Sequence, residues 1–125
     1  MSMSVYYEAW RDEPLSASER EKIDAVLREH AVEDQIEAYL KSGDGPNWES
    51  FCVYDPADPT SPDVIFEGAT KLPDNSEDAC WVGLQHWANA LTQIRLVLPE
   101  AAWDFRVEDH DIYWDERTQQ YDPSV

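Results

Sequence analysis

From Trp103 to Glu108 the chain alternates without a break, with Trp103, Phe105 and Val107 interleaved with Asp104, Arg106 and Glu108. A period of two belongs to a strand with one face buried, so this stretch predicts a half-buried β-strand. Val5-Tyr6-Tyr7-Glu8-Ala9-Trp10 is aromatic and β-prone, and Pro14 ends it, which predicts a first strand near the N-terminus.

Helical spacing governs two other regions. Ser16-Ala17-Ser18-Glu19 matches a capping box, in which hydroxyl and carboxylate satisfy the free N–H groups of a first turn. Ile23, Val26, Leu27 and His30 follow at helical spacing, and Val32, Ile36, Tyr39 and Leu40 continue until Gly43 and Gly45-Pro46, giving one kinked helix or two short ones. Asp74-Asn75-Ser76 offers three N-caps for a further helix, roughly Ser76 to Leu98, with Glu77 and Asp78 complementing its dipole. Trp81, Leu84, Trp87 or Ala88, Leu91, Ile94 and Leu98 form its stripe before Pro99. Burial of Trp81, Leu84, Leu91 and Ile94 against a sheet is expected.

Between these helices, Trp48 to Tyr54 (WESFCVY) and Val64 to Thr70 read as two strands, joined by an acidic loop from Asp55 to Asp63 that contains three prolines. A closing hairpin is predicted from Asp111-Ile112-Tyr113-Trp114-Asp115 and Thr118 to Tyr121, turning at Glu116-Arg117. The order β-α-β-β-α-β plus a tail hairpin predicts one α+β domain over residues 1–125. It consists of an antiparallel sheet with helices on one face, in the ferredoxin-like, split βαβ arrangement.

Charge changes this picture. There are 27 Asp and Glu against 9 Lys and Arg, a formal −18 on 125 residues. High charge with low hydropathy can signal disorder, but six Trp, six Tyr and three Phe supply enough large apolar surface for a core. Self-repulsion opposes folding at such a charge, so a compensating role is expected. The basic residues are scattered, and a −18 body repels phosphates and anionic lipid, so neither direct nucleic-acid binding nor membrane binding is expected. Met1 to Val5 lacks the features of a signal peptide and no 18-residue apolar run exists, which predicts a cytoplasmic, soluble protein.

Candidate chemistry is sparse. His30, His86 and His110 are isolated and form no HExxH pair, and His86 reads as a hydrogen-bonded structural imidazole. Cys52 and Cys80 fit no metal or redox spacing, and their apolar settings predict small buried hydrophobes. Phosphate-binding glycine motifs and a GxSxG elbow are absent. Glu108-Asp109-His110-Asp111 lacks the glycine and spacing of a calcium loop and reads as a turn. The sequence therefore predicts a protein that is not an enzyme and carries no metal or organic cofactor.

A binding role remains. The C-terminal region mixes Asp104, Glu108, Asp109, Asp111, Asp115 and Glu116 with Tyr113 and Trp114, and Asp55 and Asp58 add charge from the loop. Aromatic anchors among charges are how tight interfaces concentrate energy, and opposite charge steers association. These residues are expected to bind a basic protein, either a toxin or nuclease or a DNA-binding protein. Small acidic bacterial immunity proteins offer an analogy of class. The expectation is an acidic, immunity-type inhibitor acting by protein–protein contact. The alternatives are a DNA mimic, or an acidic domain with a halophile-like solubility surface and no such partner.

Overall fold

A computed structural model describes residues 3–53 and 63–124. Its central element is β1 (Ser4–Trp10), in which Val5, Tyr7 and Ala9 are buried and the residues between them are half-buried. Alternation of this kind places the three buried side chains on one face. β2 (Val64–Lys71) pairs antiparallel with one edge of β1, and β3 (Ala102–Val107) pairs antiparallel with the other. The two-residue β4 (His110–Asp111) extends the sheet beyond β3, giving the order β2-β1-β3-β4. A separate hairpin of β5 (Tyr113–Asp115) and β6 (Gln120–Asp122) follows.

Three helices accompany the sheet. α1 (Ala17–Glu29) opens on the expected capping box: Ser16 Oγ accepts from Glu19 N–H at 3.1 Å and Glu19 Oε1 accepts from Ser16 N–H at 2.9 Å. The helical run then divides, since α1 ends at His30 and α2 (Glu33–Ser42) begins after Val32, whose side chain is buried. Gly43, at φ 75°, closes α2 in a left-handed conformation that suits glycine. α3 (Glu77–Val97) starts from Ser76, whose Oγ accepts from Ala79 N–H at 3.0 Å. Ile23 and Val26 of α1 and Trp87, Leu91 and Ile94 of α3 join Val5, Tyr7, Phe66, Phe105 and Val107 of the sheet in one core.

Three expectations are corrected here. Trp81 is 41 % exposed, and Leu84 is only half-buried. The stripe that faces the core runs Ala79, Gly83, Trp87, Leu91, Ile94 and Leu98. At Gly83 α3 approaches Leu72 and Pro73 so closely that a Cβ there would collide with the Pro73 ring. A hydrophobicity pattern passes over small residues, so it favoured the bulkier Trp81.

The second correction concerns the strand expected at Trp48 to Tyr54. Residues 48–53 form no strand, and Tyr54 lies outside the described residues. The segment instead crosses the buried face of the sheet. Tyr7 Oη donates to the Cys52 carbonyl, Cys52 N–H donates to Thr70 Oγ1 at 3.0 Å, and the Phe51 ring stacks on Tyr7 with centroids 4.5 Å apart. The crossing requires Gly68, because a Cβ there would strike the Cys52 carbonyl and lie 2.6 Å from the Tyr7 ring. Cys52 is thus held by its backbone, and its side chain is exposed, contrary to expectation, while Cys80 is half-buried. β2 and β3 flank β1 as a ferredoxin-like order would have them. Both run antiparallel to β1, as that arrangement also has them, and it is the strand expected from Trp48 that is missing from it. The α+β class, with an antiparallel sheet and helices packed on it, stands.

Candidate partner-binding surface

The face of the sheet turned away from α1 and α3 carries an unusual row. In the antiparallel register Glu8 stands opposite Glu67 on one side and Asp104 on the other, three carboxylates across three strands. Like charges facing each other across strands destabilise a sheet. Burial, and then the neighbouring Glu67 and Asp104 carboxylates, push the Glu8 carboxyl above the ordinary glutamate range. Arg106 partly offsets the row: it meets Asp104 at 3.2 Å and lies 4.8 Å from the Tyr6 ring centroid. Among the described residues no three His, Cys, Asp or Glu converge as metal ligands. Reasoning from sequence missed Glu8 and Glu67. The alternation in β1 marks Glu8 as facing away from the core, but nothing local reveals which residues it pairs with.

Arg106 joins this row to the acidic turn, since its register partner on β4 is Asp111. Within the turn Glu108 adopts a positive φ of 53°, accepts from Ser4 N–H through Oε1 at 2.9 Å and accepts from Arg106 Nε through its carbonyl at 2.9 Å. Asp109, His110 and Asp111 are exposed. The structure thus brings Glu108, Asp109 and Asp111 to one end of the sheet, while Asp104 stands midway along β3 opposite Glu8.

Ile112, buried, leads directly into the hairpin. There Tyr121 anchors the element to α3: its N–H donates to Thr92 Oγ1 at 3.0 Å and its Oη accepts from Arg95 at 3.2 Å. Trp114 is half-buried, edge-on to Tyr121 at 5.1 Å, with the Arg95 guanidinium 4.3 Å from its ring centroid. Its aromatic surface is therefore engaged within the protein. Tyr113 is 57 % exposed and has Asp122 as its cross-strand neighbour. Asp115 Oδ1 accepts from Arg117 N–H at 2.9 Å, and the backbone N–H of Arg117, foremost, holds its carboxyl below the usual range. Glu116 is exposed. Asp55 and Asp58 lie outside the described residues.

Most of the arginines and lysines are occupied internally. Arg11 pairs with Glu19 at 2.5 Å, Lys41 with Glu37 at 2.9 Å, and Lys71 with Glu49 and Asp74 at 3.7 Å each. Arg95 and Arg106 are held as described. His86 behaves as a structural imidazole, its Nε2 2.7 Å from the His30 carbonyl and its pKa depressed mainly by burial.

Comparison of the chain with known protein-family models, with curated proteins and with solved structures finds no match in any of the three. Among the described residues no helix is long and apolar enough to cross a membrane.

Proposed function

We propose that this protein is an acidic binding protein that captures a basic protein partner, acting as an immunity-type inhibitor of a basic toxin or nuclease. The observation that carries this reading is the exposed Tyr113, set between Asp111 and Asp115 in the chain and opposite Asp122 in register. Glu108, Asp109 and Glu116 are exposed nearby in sequence. A rigid aromatic among carboxylates combines an apolar contact with a field that steers a cation-rich surface. Surface carboxylates that merely conferred solubility would not need an exposed aromatic among them.

The test is capture from the source organism at low and at high salt, followed by an assay of the captured protein's own activity. Recovery of a basic protein at low salt, its loss at high salt, and inhibition of its activity by the added chain are expected. A partner whose binding ignores salt, or whose activity the chain leaves untouched, would overturn the reading.

A further inference from the structure

The end of α1 meets the middle of α3 through two imidazoles. His86 Nε2 lies 2.7 Å from the His30 carbonyl, and since a carbonyl only accepts, that nitrogen carries a proton. Nε2 of the His30 ring in turn lies 2.9 Å from Asn89 Oδ1. Among the described residues these are the two hydrogen bonds that join residues 30–42 to α3. The His30 and His86 rings stand edge-on with centroids 5.4 Å apart, and Trp48 and Trp87 close on His86 at 5.0 and 4.6 Å.

Residues 30–42 are otherwise thinly held. Val32 is their one buried residue, α2 buries none, and Leu40 is 76 % exposed. Ser50 Oγ adds one exposed hydrogen bond, to Glu33 Oε1 at 3.1 Å. A cleft of about 410 Å³ against Trp87 is lined also by Leu27, Ala31, Val32 and Phe51, so packing is incomplete where this corner meets the core. Segments with few buried apolar contacts are those that open before the rest of a fold.

We propose that this junction is an acid-released latch: protonation of His86 frees residues 30–42 from α3 while α3 and the sheet stay folded. Neutral His86 is satisfied by the His30 carbonyl, whereas a charged His86 is half-buried against two tryptophans and a second titratable ring. Burial, foremost, holds its pKa below the ordinary histidine value; the bond to the His30 carbonyl works against this and the His30 charge adds to it. Other charged groups are engaged elsewhere or turned to solvent. Arg28 and Glu29 on α1 are exposed, Glu33 on α2 is exposed and bonded to Ser50, and Glu49 beside Trp48 meets Lys71 at 3.7 Å. On α3 the positions three and four residues from His86 are Val82, Gly83, Asn89 and Ala90, none of them ionisable. Separation of the corner lets water reach the ring, so the open form takes the proton more readily than the closed one. A fall in pH below about 6.5 therefore favours opening.

The test is amide hydrogen exchange of the isotope-labelled full chain at about pH 7.5 and about pH 5, either side of the ordinary histidine value. Protection in α2, corrected for the intrinsic pH dependence of exchange, should fall about tenfold in acid. Amides of α3 and β1 should remain far better protected than α2 at both pH values. His86→Gln, which still donates to the His30 carbonyl, should remove the acid loss, and His110→Gln, at an exposed histidine, should retain it. If His86→Gln does not fold, the ring titration of His86 in the wild-type chain serves, its midpoint expected to coincide with the loss in α2. Equal α2 protection at both pH values would overturn the proposal. So would α2 amides exchanging only together with those of α3, an acid loss that persists in His86→Gln, or midpoints that differ.

Discussion

Glu8 faces Asp104 directly across β1 and β3, carboxylate against carboxylate, in a position where an antiparallel pair ordinarily gains from opposite charges. Glu67 on the other flank of Glu8 makes the conflict two-sided, and it is 6 % exposed, so solvent screens it poorly. The folded state holds the Glu8 proton more tightly than the unfolded chain does. Its stability therefore falls as pH rises through the folded pKa of Glu8. Glu8→Gln should raise the melting temperature at neutral pH. The gain should shrink at about pH 4, where a glutamate is largely protonated anyway. Thermal melts of both proteins at the two pH values check this; an equal gain at each would show that charge is not the cause.

Arg11 and Glu19 present the opposite case. The Arg11 hydrogen bond, and then the Ser16 N–H, hold the Glu19 carboxyl down at about 2, against an ordinary glutamate value of 4.5. A depressed folded pKa gives stability that is present above the ordinary value and lost as pH falls from 4.5 toward about 2. Acid titrations followed by circular dichroism should show the wild-type protein losing stability through that window. Glu19→Gln should be less stable at neutral pH and should show a flatter acid limb.

His86 adds a second acid-sensitive group. Burial depresses its pKa more than the His30 carbonyl raises it, so the unfolded chain binds the extra proton first. Stability should therefore decline as pH drops below about 6.5, the unperturbed histidine value. His86→Gln, which can still donate to the His30 carbonyl, should remove that slope in chemical denaturation at a series of pH values.

The two hairpin aromatics should separate cleanly. Trp114→Ala removes a half-buried ring and its contact with Arg95, and should cost about 2 kcal/mol of stability, read from the denaturation midpoint. Tyr113→Ala should change the midpoint by less than about 0.5 kcal/mol, yet shorten the lifetime of the complex with the partner. Asp111→Lys should chiefly slow association, with an effect that fades at high salt.

Leu91 is wholly buried in the α3 stripe that the structure redraws. Leu91→Ala should cost about 2–5 kcal/mol, whereas Trp81→Ala, on the exposed side of the first turns, should cost far less. Comparable losses for both would restore the stripe expected from hydrophobicity.

Features encoded within a few residues were legible in the sequence. The capping box at Ser16–Glu19, the Ser76 cap, the alternation of β3 and the closing hairpin all depend on neighbours within one turn or one strand. What escaped depends on distant partners. The segment around Phe51 has the composition of a strand, yet Tyr7 and Thr70 capture the Cys52 backbone polar groups before a neighbouring strand can. The Glu67–Glu8–Asp104 row exists only once three strands are in register. The mixture of acids and aromatics in the C-terminal region could be read directly, but the division of labour between Tyr113 and Trp114 could not, because Arg95 on α3 decides it.

At position 68 a stretch of main chain occupies the volume that one methyl group would need. The central sheet and one wall of the Trp87 cleft are thereby made interdependent, since whatever displaces Cys52 from that notch also carries Phe51 off Tyr7 and away from Trp87. Alanine, the smallest possible addition, would act there as a wedge driven between two parts of the molecule. Its effect would be felt at a pocket on the far side of a ring stack, without any residue of that pocket having changed.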